Sequence, residues 1–228
     1  MNTPLIDGEV LREFFGKADI FLTAEFLSKL SGDLEQRTHR VRQEFPSWPQ
    51  LWDLAPATRR LSEVERTAWL PHLDAVLPAV QAGDLITVLG VTDNILNRPK
   101  WLVDWLTFWI HVANPRVAWW ARWVYGATTD TGALLLVLDN PSVLHQPGVS
   151  QTYQAVQAAF EYLATLLDST QALRPLASVY RAPVMLAVVY TVYMFTMASW
   201  KLTEEFTQVL PPFPVVVRTL LGVNRWEG

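Results

Sequence analysis

The chain has 228 residues, half of them hydrophobic and only 18% charged, with a net charge of −4 and no cysteine. Length and apolar content suffice for a sizeable core and exclude a disordered chain, which needs low hydrophobicity and high net charge. The acidic balance excludes a global basic field for nucleic acid or anionic lipid, and the lack of cysteine excludes disulfides, thiolate chemistry and cysteine-ligated zinc. A charged share below the roughly 25% of ordinary soluble domains implies either a large core or apolar surface covered by something else.

Residues 1–7 carry neither a basic stretch nor an apolar run, so a secretory leader is not expected and the cytoplasm is the default location. From Val10 to Leu30, apolar residues recur at steps of three and four, the stripe of one or two helices, and a polar, basic stretch continues to Arg42. Pro46, Pro49 and Pro56 then break regular structure. Ser62 and Glu65 form a capping box, and the helix it opens meets Pro71 and Pro78, where it is expected to end, kink or restart. Gly83-Asp84 opens an apolar segment to Leu96. Pro99 suits the first turn of a helix over Trp101–Val112. Asn114-Pro115 breaks that helix, and Val117–Tyr125 is expected to resume it.

A loop over 126–132, a short buried element over 133–138 and a turn at Asn140-Pro141 come next. The clearest helix spans 150–168, with Ser150 as its N-cap and Tyr153, Val156, Phe160, Leu163 and Leu167 on one face. Pro183–Trp200 is an uncharged run expected to be a buried helix. At 18 residues it is short for a bilayer, and four hydroxyls sit in its middle. A last apolar piece covers 215–223. Alternation of period two never persists. The expectation is an all-α fold, an irregular bundle of roughly eight to ten helices with proline-broken connections. It forms one domain over 1–228, more charged over 1–80 and apolar and tryptophan-rich over 81–228.

Chemistry is harder to place. His39, His72, His111 and His145 are isolated, without metal-ligand spacing; Asp104 and His111 share a helix face, read as a helix-start acid and a half-buried histidine. No glycine pattern forms a phosphate loop, no nucleophile elbow is present, and Glu204-Glu205 resembles a solvated helix end. No enzyme activity, metal or small-molecule cofactor is expected.

Eleven tryptophans are the most unusual feature, six of them between 101 and 123. Trp101, Trp105 and Trp109 step by four along one helix, and Trp119 and Trp123 follow, with Arg116 and Arg122 placed to lie over indole faces. Such rings fill cores, anchor interfaces or sit at membrane belts. Trp101, Trp105, Trp109, Arg116, Trp119, Arg122 and Trp123 are the candidate partner-binding residues of a helical assembly subunit, bound to another protein or to copies of itself. A membrane protein using 183–200 is the alternative. The second alternative is an accessory subunit of a nucleic-acid complex, using Arg37, Arg40 and Arg42, although Glu35 and Glu44 flank these as on a solvated face.

Overall fold

Asp7, Thr23, Ser62 and Asp84 each turn a side-chain oxygen onto a free backbone N–H, and a helix begins after each. The computed structural model describes residues 4–95, 97–201 and 210–226, which form ten α-helices: α1 (Gly8–Ala18), α2 (Ala24–Gln43), α3 (Trp48–Leu54), α4 (Glu63–Ala82), α5 (Leu85–Asp93), α6 (Trp101–Ala113), α7 (Ala133–Val137), α8 (Val149–Leu167), α9 (Ser178–Lys201) and α10 (Phe213–Leu220). Among the described residues there is no strand, only two isolated bridges. One of these pairs Ile6 with Leu138, so the segment before α1 is tied to the end of α7. The fold is all-α.

One hydrophobic core draws on all ten helices, so the division between a charged first third and an apolar remainder is not a structural boundary. Helix α9 lies against α1, α7, α8 and α10, whereas α6 lies against α2, α4 and α5; α5 packs on α8 and joins the two groups. The stretch from Ala182 to Val189 is buried on every side by the chain itself. A residue run that is apolar all round belongs in such a place.

Helix α4 neither ends nor restarts at Pro71 and Pro78, which both lie inside it. Both prolines are exposed and seven apart, so the carbonyls they free face water and the lost ladder bonds are replaced by solvent. Helix α5 ends at Asp93, and Leu96, where the apolar segment was expected to close, lies outside the described residues. Two expectations need correction. Residues 117–125 are not helical, for reasons given below. Finally, Ser150 is not an N-cap: Gly148 holds that position without a side chain, and the cap comes from Asp93 at the end of α5. Its carboxylate accepts from Val149 N at 2.9 Å and Ser150 N at 3.3 Å, and also from the Ser150 hydroxyl. One acid thus terminates α5 and starts α8.

Asp93→Ala is expected to lower stability by about 1–2 kcal/mol in chemical denaturation, with Asp93→Asn losing much less because an amide oxygen still caps. Equal midpoints for wild type and Asp93→Ala would show that the cross-chain cap contributes nothing.

Candidate functional site

Trp105, Trp109 and Trp119 are withdrawn from solvent, at 0%, 0% and 4% exposure. They belong to a ladder of rings that crosses the molecule. Trp69 meets Trp101 edge-on at 5.6 Å, Trp101 meets Trp52 at 5.9 Å, and Trp52 meets Trp105 at 5.7 Å. Trp105 reaches Trp109 at 6.5 Å, and Phe108 bridges Trp109 and Trp119 at 5.1 and 4.9 Å. Trp119 then meets Trp123 at 5.7 Å, and Trp123 meets Tyr190 at 6.4 Å. Most of these pairs are edge-to-face, the arrangement favoured by ring quadrupoles.

Three of the candidate partner-binding rings are therefore covered by their own chain: Trp105 and Trp109 because they stand on the inward face of α6, and Trp119 because its indole N–H is drawn in by Asp104. Trp101 and Trp123 are half-buried, and Arg116 and Arg122 are exposed. Neither arginine stacks on an indole among the described residues; the single cation–ring contact is Arg37 over Phe108 at 5.8 Å. Trp48, Trp52 and Trp69, which extend the ladder to the surface, were not among the sequence candidates. Their signal was aromatic content beside prolines and a helix start, easily read as loop filling.

At that end of the ladder, Trp48 and Trp52 of α3 and Leu61 and Leu70 wall an open groove of about 390 Å³, edged by Glu63 and Arg66. Trp48 stacks parallel to Trp105 at 6.4 Å, so the groove wall continues directly into the core.

The segment 114–132 owes its irregular path to side chains on α6 and α8. Asp104 Oδ1 accepts from Trp119 Nε1 at 2.7 Å, Thr107 Oγ1 accepts from Trp120 N at 3.0 Å, and His111 Nδ1 donates to Val117 O at 2.7 Å. From the other side, Gln157 accepts from Ala118 N at 2.7 Å and donates to Arg116 O at 3.0 Å, while the Tyr153 hydroxyl donates to Ala118 O at 2.7 Å. The backbone groups a helix would pair internally are satisfied here by neighbours, so no helix is needed. Burial holds His111 down to about 4, with a contribution from the positive charge of Arg37. Burial pushes Asp104 up to about 7 although the Trp119 and Arg122 N–H groups favour its charged form. No group of histidines and acids among the described residues has metal-binding geometry.

The three nucleic-acid candidates part company. Arg37 is 1% exposed and donates to Leu221 O at 2.5 Å, so it cannot meet a phosphate at the surface. It lies on the same face of α2 as Leu30, Leu34 and Val41. Arg40 and Arg42 are exposed and donate to Trp226 O at 3.2 Å and Ala113 O at 2.6 Å. Comparison with known proteins finds no matching family model, no matching curated protein and no matching solved structure.

Two opposed pH effects follow. Unfolded histidine takes up a proton near pH 6.5, whereas folded His111 resists until about 4, so it makes the protein less stable as pH falls across that window. His111→Gln, which can still donate to Val117 O, is expected to flatten that slope. Folded Asp104 keeps its proton to about 7 while the unfolded acid ionises near 3.8, so its contribution is lost as pH rises. Asp104→Asn keeps an acceptor for Trp119, and should gain stability relative to wild type between about pH 4 and 7. Denaturation series across pH 4–8 check both signs. Trp109→Ala is expected to cost about 3–5 kcal/mol in the same assay.

Proposed function

We propose that this chain is a non-enzymatic interaction subunit that receives apolar side chains of a partner protein in the groove between α3 and α4. The carrying observation is that groove: rigid rings fixed from behind by the core, with opposite charges at the rim. Interface energy concentrates in such preformed aromatic pockets surrounded by a polar edge. The rings pay little entropy on binding, because Trp48 and Trp52 are already stacked at 6.0 Å. Trp101 supports the wall through Trp52. Trp123, with exposed Arg122 and Arg116 nearby in sequence, is a second contact point of the kind interfaces favour.

The membrane reading has less support. The apolar stretch Ser178–Ala198 has mean hydropathy 1.4, and 61% of its window is buried inside the protein, as in a core helix. The nucleic-acid reading loses Arg37 to the interior.

The test is co-purification of the full chain followed by two variants. Thr67→Arg places a long cation over the groove from the exposed face of α4, and Trp48→Ala removes one wall. Each is expected to weaken the captured partner by about 2 kcal/mol, with Thr67→Arg melting like wild type. A chain that purifies alone as a monomer, or one that retains its partner in both variants, sinks the reading. Recovery in a membrane pellet resistant to salt and alkali would replace it with the membrane alternative.

A further inference from the structure

After α10 the chain turns at Gly222, whose φ of +68° is strained for any other residue; a Cβ there would stand 3.0 Å from Pro56 Cγ, a tight contact. This turn sets the 219–225 segment against the Pro56–Arg60 turn, and a cleft of about 560 Å³ lies between them. Arg59, Arg60 and Arg225 line it, with Thr219 and Asn224. A second cleft of about 560 Å³ shares Arg225 and adds Arg40 together with the acid Glu44. A small cavity next to that, with room for about one water, is lined by Arg40 and buried Arg37, whose Nε has no partner among the described residues.

Several of these cations have structural employment. Arg37 holds Leu221 O and Arg40 holds Trp226 O, whereas Arg225 holds Asp53 O at 2.6 Å, near the end of α3. Arg59 and Arg60 do not: both are exposed and neither makes a hydrogen bond or ion pair among the described residues. The carboxylate of Asp53 is engaged with Arg66 at 2.8 Å. Desolvation, and then the charge of Arg59, hold Arg225 below the usual arginine range, against the opposing pull of Asp53. Like charges are thus gathered, on a protein of net charge −4, around a space large enough for a ligand.

We propose that the cleft lined by Arg59, Arg60 and Arg225 binds a phosphate-class anion, either inorganic or the terminal phosphates of an ester. Guanidinium forks match phosphate oxygens in pairs, and a ligand bearing two or more charges relieves the crowding of three cations. The Asn224 amide donates to Thr219 Oγ1 at 3.0 Å, which fixes the polar wall between them.

Calorimetric titration of the full chain with orthophosphate, pyrophosphate, inorganic tripolyphosphate and adenosine triphosphate, at ionic strength held constant with chloride, tests this. Saturable one-to-one binding is expected, with pyrophosphate above orthophosphate. Arg59→Ala and Arg60→Ala should each weaken it by about tenfold without lowering the melting temperature, whereas Arg12→Ala, on the exposed side of α1, should leave it unchanged. Equal affinity for adenosine triphosphate and inorganic tripolyphosphate assigns recognition to phosphate alone; tighter binding of the nucleotide than of tripolyphosphate assigns it to the ester. Absence of saturation, or binding untouched by both variants, overturns the proposal. Failure of the groove variants to release a partner has no bearing on this outcome.

Discussion

A stripe of three polar side chains on one face of α6 governs the centre of this protein. Asp104, Thr107 and His111 stand one turn apart on an otherwise apolar helix, and each takes hold of a different group in the segment 117–120. A backbone without regular structure is costly to bury, because every unpaired N–H or carbonyl forfeits its bond to water. These three residues, with Tyr153 and Gln157 of α8, remove that cost at the places where the segment goes deepest. The segment can then carry Trp119 into the ladder and Trp120 against Tyr153. The opposite face of the same helix lays Trp105 and Trp109 into the core. Helix α6 is thus amphipathic in an inverted sense: its polar stripe faces protein, not water.

Arg37 plays a related part at the end of the chain. A cation without a carboxylate partner is expensive to bury, and burial brings its pKa down to about 10, still well above neutrality. It is held there by the Leu221 carbonyl, just past the negative end of α10, and by the face of Phe108. The contact joins α2, α6 and the C-terminal turn in one place. The ion pair between Arg218 and Asp33 at 2.6 Å, half-buried beside it, secures the same junction of α2 with α10. The arginine-lined clefts open beside this junction, so the site proposed for an anion rests on a backbone already fixed by cations.

Much of the helical framework was legible because it depends on local chemistry. The Ser62–Glu65 box and the stripe Tyr153–Leu167 each act within a few residues, and the structure has helices where they point; Pro99, expected in the first turn of α6, stands just before its N-cap, Lys100. What was illegible depended on distant partners. Residues 117–125 have helix-compatible composition, and only the groups supplied by α6 and α8 remove the need for a helix. Ser150 looked like a cap because its sequence neighbourhood cannot reveal Asp93, which arrives from α5. Arg37 is a different kind of miss. Its position among Leu30, Leu34 and Val41 already placed it on the buried face of α2, but its charge argued for solvent. The groove was missed because half of it comes from Trp48 and Trp52, far in sequence from the tryptophans that drew notice.

The low share of charged residues had two explanations, a large core or an apolar surface awaiting cover. Among the described residues seven large apolar side chains are exposed, Leu5, Ile20, Val64, Ile86, Val91, Leu166 and Val215, of which Ile86 and Val91 share α5. Isolated apolar residues on a surface are ordinary and imply no partner. The excess of tryptophan, leucine and valine is accounted for by a core that draws on every helix and surrounds α9. Two concave surfaces stand out: one groove where the aromatic ladder comes to the surface, and one cleft where Arg59 and Arg60, without hydrogen-bond or ion-pair partners among the described residues, stand beside Arg225. Both are concave, both are backed by rigid structure, and they differ in the chemistry they would accept. The first suits an apolar side chain and the second an anion, so the two surfaces can be tested, and can fail, independently.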